Sequence, residues 1–191
     1  MVFLATEELE QALRYIEDHY ELGSGFLIRL YKEDDWSFVI KAHALIEAAA
    51  SQLLAHQVGD HRLSRIFERL ELSNDQTGRV AFLKALGLLN DRERRFVRSL
   101  SELRNRLVHN VHNVRFRFAD EIATMAPNQR RAFMDWATFF ADPGLPQNTW
   151  RETALTDPKR AIWFAALMLV GACLTKTNEA RYRARADRPR A

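Results

Sequence analysis

An all-α fold is the class this sequence predicts, on three observations. Glycine and proline are scarce, at 7 and 5 of 191 residues, and the first proline is Pro127, so most of the chain lacks the punctuation that many short strands require. Apolar residues recur at helical spacing, as in Leu9, Leu13, Ile16 and Tyr20 or Phe96, Leu100, Leu103 and Leu107. Residues suited to helix starts stand ahead of these runs. With 47% hydrophobic and 28% charged residues the composition is that of an ordinary globular chain, long enough to enclose its own core.

The elements follow in order. Thr6, with Glu7 and Glu8 behind it, suits the N-cap of a first helix that the glycines at 23 and 25 end. Asp34 or Asp35 caps a long central helix, WSFVIKAHALIEAAASQLLAHQV, alanine-rich and apolar on more than one face. Leu63, Ile66, Phe67 and Leu70 mark a third helix, and Val80 to Leu89 a fourth. Asn90 and Glu93 have capping-box spacing and open the helix whose buried stripe is Phe96, Leu100, Leu103 and Leu107. Short helices are expected at 119–125 and 127–140, then a loop over 141–157. Asp157 and Pro158 launch the last helix through the apolar run Ala161 to Leu174, which alone is too short to cross a bilayer. Residues 1–180 read as one domain, and 181–191 as a flexible basic tail.

The formal charge of +3 hides a strong polarisation. The last eleven residues hold five arginines and one aspartate, while Asp91 to Arg117 holds eight arginines against three acids. A local excess of this kind draws a phosphate backbone to one face, or is simply a solvated arginine-rich helix face. Cys173 is the single cysteine, which excludes an internal disulfide and a cysteine-based zinc cage and points to a cytoplasmic setting. The acidic first ten residues do not resemble a secretory signal, and no membrane association is expected. His56 and His61 flank a helix break without a third ligand, so no metal site and no cofactor are expected. Met125, Phe133, Met134, Trp136, Phe139 and Phe140 read as core or a dimer surface.

Three arginine–histidine pairs have four or five residues between them: Arg14 with His19, Arg104 with His109, and Arg106 with His112. Chance supplies roughly two such pairs in a chain this rich in arginine, so setting must choose. Only the second and third lie in the basic stretch. At about 100° per residue, Arg98, Glu102, Asn105, His109 and His112 share a sector opposite the leucine stripe, provided the helix extends that far. Arg104 lies about 140° from His109, so its side chain must reach around to meet the row, or else it lies along the stripe while Glu102 pairs with Arg98 or Arg106.

The stretch FLKALGLLNDRERRFVRSLSELRNRLVHN resembles the region of HEPN domains that ends in an arginine, a polar residue, three residues and a histidine, here Arg104, Asn105 and His109. The phrase before the arginine helix is similar to that of the mannitol operon repressor-like branch, and AHALIEAAASQLL, with His43 and Glu47, is similar to the long helix beside it. The likeness spans 36–114. Val111 stands where one toxin branch has a tyrosine. The resemblance implies a HEPN-like helical bundle with additional C-terminal helices, a homodimer with two motifs in one cleft, and metal-independent RNA cleavage in a toxin or defence role with a cognate neutralising protein. In that role His109 is the acid/base, Arg104 the phosphate clamp and Asn105 the orienting residue, with Arg98, Arg106, His112, Glu102 and Glu47 as substrate contacts. The alternative is a non-catalytic regulator that binds through the same row. A DNA-contacting repressor using the Arg92 to Arg98 face lacks a recognisable helix-turn-helix.

Overall fold

A computed structural model of the chain describes residues 7–141 and 148–186; Thr6, the 142–147 part of the expected loop and the segment beyond 186 lie outside them. The described residues are helical with no strand. In order they form α1 (Glu7–His19), α2 (Phe26–Lys32), α3 (Asp35–Val58), α4 (Ser64–Phe67), α5 (Arg79–Ala85), α6 (Asp91–Val108), α7 (Phe118–Thr124), α8 (Pro127–Ala137), α9 (Asn148–Thr156) and α10 (Pro158–Ala186), with 3-10 turns at His61–Leu63 and Val111–Arg115.

Local chemistry sets the long helices. Asp34 accepts from the Ser37 amide at 2.9 Å to start α3, which Gly59 ends in the left-handed conformation at φ 77°. Asn90 accepts from the Arg92 and Glu93 amides, and the Glu93 carboxylate takes the Asn90 amide at 2.7 Å, so the capping box of α6 is complete. At the head of α10, Asp157 accepts from the Arg160 amide at 3.1 Å with Pro158 in the first turn.

The two apolar helices, α3 and α10, pack along each other at the centre, and α6 lies against α3 through Phe96, Leu100, Leu103 and Leu107. Asp35 ties the open end together, accepting from the Phe118 amide at 2.8 Å and from Lys159 at 2.7 Å. Buried Trp163 donates to the Leu27 carbonyl at 2.9 Å, which fastens α10 to α2. Of the set expected as core or a dimer surface, Phe133 is buried, while Met125, Met134, Trp136, Phe139 and Phe140 are partly buried against the core, where Phe96 meets Trp136 and Phe139, and Phe140 meets Trp150 and Phe164.

Several expectations change. The third helix is a single turn, and part of the expected 141–157 loop is α9, held where the Trp150 ring sits 4.9 Å from Phe140 and 4.8 Å from Phe164. Residues 181–186 continue α10. The apolar run Ala161 to Leu174 is also not the relevant length, because the helix continues on both sides of it. The spans Asp35–Val58 and Pro158–Arg183 each have the length and composition of a membrane-crossing helix, although 67% and 61% of their most apolar windows are buried in this bundle.

Candidate functional site

The helix α6 carries the candidate motif at its C-terminal end, and neighbouring side chains determine where that end falls. The Asn113 amide donates to the Arg106 carbonyl at 2.8 Å and the Trp36 indole to the Leu107 carbonyl at 3.4 Å, satisfying two of the last carbonyls of the helix. Asn110 then leaves the helical conformation, and its side chain accepts from the His112 amide at 2.9 Å to start the 3-10 turn. His109 is thus the residue just past the last turn, still with αR dihedrals, its amide bonded to the Asn105 carbonyl at 3.2 Å and its side chain exposed.

The sequence left open how Arg104 meets the row. Its guanidinium donates to the Asn105 side-chain oxygen at 3.0 Å, so the long side chain bends around the helix toward the residue one turn before His109. Both Arg104 and Asn105 are half-buried. Among the described residues Arg104 has no ion pair within 4 Å, and the His109 side chain has no hydrogen bond or ion pair.

The other sequence candidates lie elsewhere. Arg106 grips the Glu121 carboxylate of α7 with both terminal nitrogens, at 3.0 and 2.7 Å. Arg98 faces Asp75 at 3.5 Å. Glu102 is exposed and pairs with neither Arg98 nor Arg106 among the described residues, which removes the four-residue ion pair expected from spacing. His112 is exposed, but α6 stops before it, so it does not extend the helical row.

Glu47 stands on the α3 side of Arg104, inside a network that the sequence did not reveal. Its carboxylate bridges the Arg79 guanidinium at 2.6 Å and the His43 ring at 3.4 Å. Arg79, 4% exposed, also donates to the Glu47 carbonyl at 3.1 Å and the Ser51 hydroxyl at 2.8 Å. Ser101 of α6 donates to the Val97 carbonyl at 2.8 Å, which leaves its oxygen to accept from His43 Nε2 at 3.0 Å. Burial pushes the Glu47 carboxyl up, but His43, Arg79 and Arg104 together outweigh it and hold the group below the ordinary glutamate range. Glu47 is therefore an anionic link between α3, α5 and α6 with Arg104 within its field.

Arg79 owes its place to the loop before it. The Arg79 and Val80 amides bond back to the Glu71 and Leu72 carbonyls, and a Cβ on Gly78 would overlap the Glu71 and Asn74 carbonyl oxygens. The only sequence trace of this network is the four-residue spacing of His43, Glu47 and Ser51 on one helix face.

No protein-family profile, curated protein or solved structure matches the chain at a significant level.

Proposed function

We propose that the chain is a HEPN-type, metal-independent endoribonuclease acting as a homodimer, with Arg104, Asn105 and His109 as its reacting set. The observation that carries the reading is the state of three side chains at one helix end. The Arg104 head is drawn to Asn105, and His109 stands in solvent one turn further on with its ring nitrogens unengaged among the described residues. The nearby Arg94, Arg98 and Arg106 all face carboxylates instead.

The chemistry matches these side chains. An exposed imidazole nitrogen with no partner among the described residues can accept a proton, so His109 takes the proton of a ribose 2′-hydroxyl. The 2′-oxygen attacks the adjacent phosphorus, the bond to the 5′-oxygen breaks, and a proton delivered to that oxygen gives a 2′,3′-cyclic phosphate and a 5′-hydroxyl. A guanidinium stabilises the charge that builds on the phosphoryl oxygens. One histidine per chain cannot hold both protonation states at once, so a second copy supplies the acid. Val108, Val111 and Val114, exposed by 37, 79 and 53%, give the motif an apolar border for such a partner.

The test is RNA incubated with wild type and His109→Ala, each with and without EDTA. Cleavage is expected to survive EDTA and to fall by about 10²- to 10⁴-fold in the variant. An uncut RNA with a folded dimer overturns the nuclease reading. A second reading, a non-catalytic regulator of the mannitol-repressor-like type, is favoured by one observation: Arg104 already has a resting partner in Asn105. It predicts RNA or protein binding that depends on Arg104 without cleavage.

A further inference from the structure

The arginine face of α6 continues from the motif toward the start of the helix, and there it borders a cleft. The cleft is about 310 Å³, open to solvent, and lies between the loop bearing Asp75, the helix α5 and the first two turns of α6. Lys84, Arg94, Arg95 and Arg98 line it against Asp75 and Asp91, over a floor of buried Val80, so four cations face two carboxylates.

These cations are not equally available. Arg94 is engaged by the Asp91 carboxylate and the Leu89 carbonyl. Arg98 has only the 3.5 Å contact with Asp75, and both side chains are about half exposed or more. Lys84 and Arg95 are exposed and, among the described residues, have no hydrogen bond or ion pair. Two free cations and one loosely held cation thus converge on one open cleft, the arrangement that attracts phosphates.

Helical geometry ties the cleft to the motif. Arg95, Arg98, Glu102, Asn105 and His109 fall within about 80° of one line along α6, and Arg98 and His109 are about 16 Å apart along the axis. A stacked strand advances about 3.4 Å per nucleotide, so this interval is about five nucleotides. Exposed Glu102 is the carboxylate between them and divides the row into two anion-binding ends.

We propose that this cleft holds the backbone phosphates of the single RNA strand whose scissile bond lies at His109. The inference rests on the ribonuclease reading for the identity of the ligand. The experiment is anisotropy of a labelled, unstructured 12-nucleotide RNA titrated with the full chain in EDTA at several salt concentrations. It compares His109→Ala alone, to prevent cutting, with His109→Ala carrying Lys84→Ala and Arg95→Ala. The added substitutions are expected to weaken binding about tenfold at low salt and to flatten the salt slope by about 1.4. Asp75→Asn, which relieves Arg98 of its carboxylate, is expected to tighten binding about threefold.

Unchanged affinity and slope in a variant with wild-type circular dichroism overturn the proposal. So does competition by millimolar AMP or inorganic phosphate that vanishes in the Lys84/Arg95 variant, because the cleft is then a small-anion site. Failure of the nuclease reading registers separately: RNA bound with this dependence but left uncut by wild type keeps the cleft and removes the catalytic assignment.

Discussion

Two polar clusters touch α6 within one turn of each other, and they differ in how many of their hydrogen-bonding groups are already engaged. Behind the helix, Glu47, Arg79, His43, Ser51 and Ser101 close on one another across three elements, and Arg79 is almost wholly buried. At the end of the helix, Arg104 and Asn105 share one hydrogen bond and His109 faces water. Both contain an arginine and a histidine, but only the first contains a carboxylate. What separates them is the degree of engagement: a cluster whose members mostly occupy one another, with the Arg79 Nε the one of their buried side-chain atoms left without a partner, holds helices together, whereas one with open donors and a free imidazole is available to a ligand.

The strongest way to break the comparison is Arg79→Ala. It leaves the Glu47 carboxylate without its main counterion and Ser51 without its donor, in a site where neither is fully solvated. Loss of one partner of a buried pair costs about 3 kcal/mol, toward the lower end here because the Glu47 side chain is 32% exposed. For a chain of this size the expected fall in melting temperature is about 6–12 °C. His109→Ala should leave the melting temperature within about 2 °C, since its side chain is exposed and unpartnered among the described residues. Equal thermal losses in the two variants would erase the distinction between the clusters.

Glu47→Gln sharpens the same contrast by removing charge while keeping shape. The carboxyl titrates below its ordinary value in the folded chain, so the unfolded chain binds the proton more readily. Its contribution is then fully present above the unfolded value, near pH 4.3, and is lost as pH falls through the lower folded value. Wild type should exceed the variant by about 1.5 kcal/mol at pH 7, and the gap should close in acid. Urea titrations of both proteins at pH 7, 5 and 3.5 measure it, and a gap that stays constant with pH would show that charge is irrelevant to the network.

How much of this was legible depends on distance along the chain. The all-α class, the Asp34 cap, the Asn90/Glu93 box and the Asp157–Pro158 start all rest on neighbours within three or four residues, and the sequence displays such neighbours directly. Arg79 is 32 residues from Glu47, and nothing near either residue announces the pairing. The same reason hid α9, whose Trp150 gains its support from Phe140 and Phe164. Within the candidate site, the row of Arg98, Asn105 and His109 was readable from helical period. The exclusion of His112 was not, because it depends on side-chain capping by Asn110 and Asn113 past the last turn.

Helix capping gives an effect of intermediate size. Asn90→Ala removes the side-chain half of the capping box at the start of α6, where the Arg92 and Glu93 amides lose their acceptor, and keeps the backbone amide of residue 90 on the Glu93 carboxylate. It should cost about 1 kcal/mol, or about 2–4 °C in melting temperature. The cap adjoins the cleft proposed for RNA phosphates but sits at the opposite end of the helix from the motif, so at saturating RNA cleavage by the folded variant should stay within about twofold of wild type below its melting range. A much larger loss of activity would mean that the motif depends on the helix start and that the two ends are not independent.

The smallest expected effect concerns Arg106, which the sequence offers as a secondary substrate contact beside the Arg104 clamp. Its guanidinium is held at both terminal nitrogens by Glu121, on a surface where such a pair contributes about 0.5 kcal/mol or less. Using it to bind phosphate would require leaving that carboxylate, whereas Arg104 has no carboxylate partner within 4 Å among the described residues. Arg106→Ala should therefore weaken RNA binding far less than Arg104→Ala, with stability almost unchanged in a urea titration. Glu121→Gln provides the reverse test. If pairing is what silences Arg106, removing the carboxylate should strengthen RNA binding modestly, and Arg106→Ala in that background should abolish the gain. If Arg106→Ala weakens binding as strongly as Arg104→Ala while Glu121 is intact, saturation by a neighbouring carboxylate is not what separates the structural cations of α6 from the functional ones.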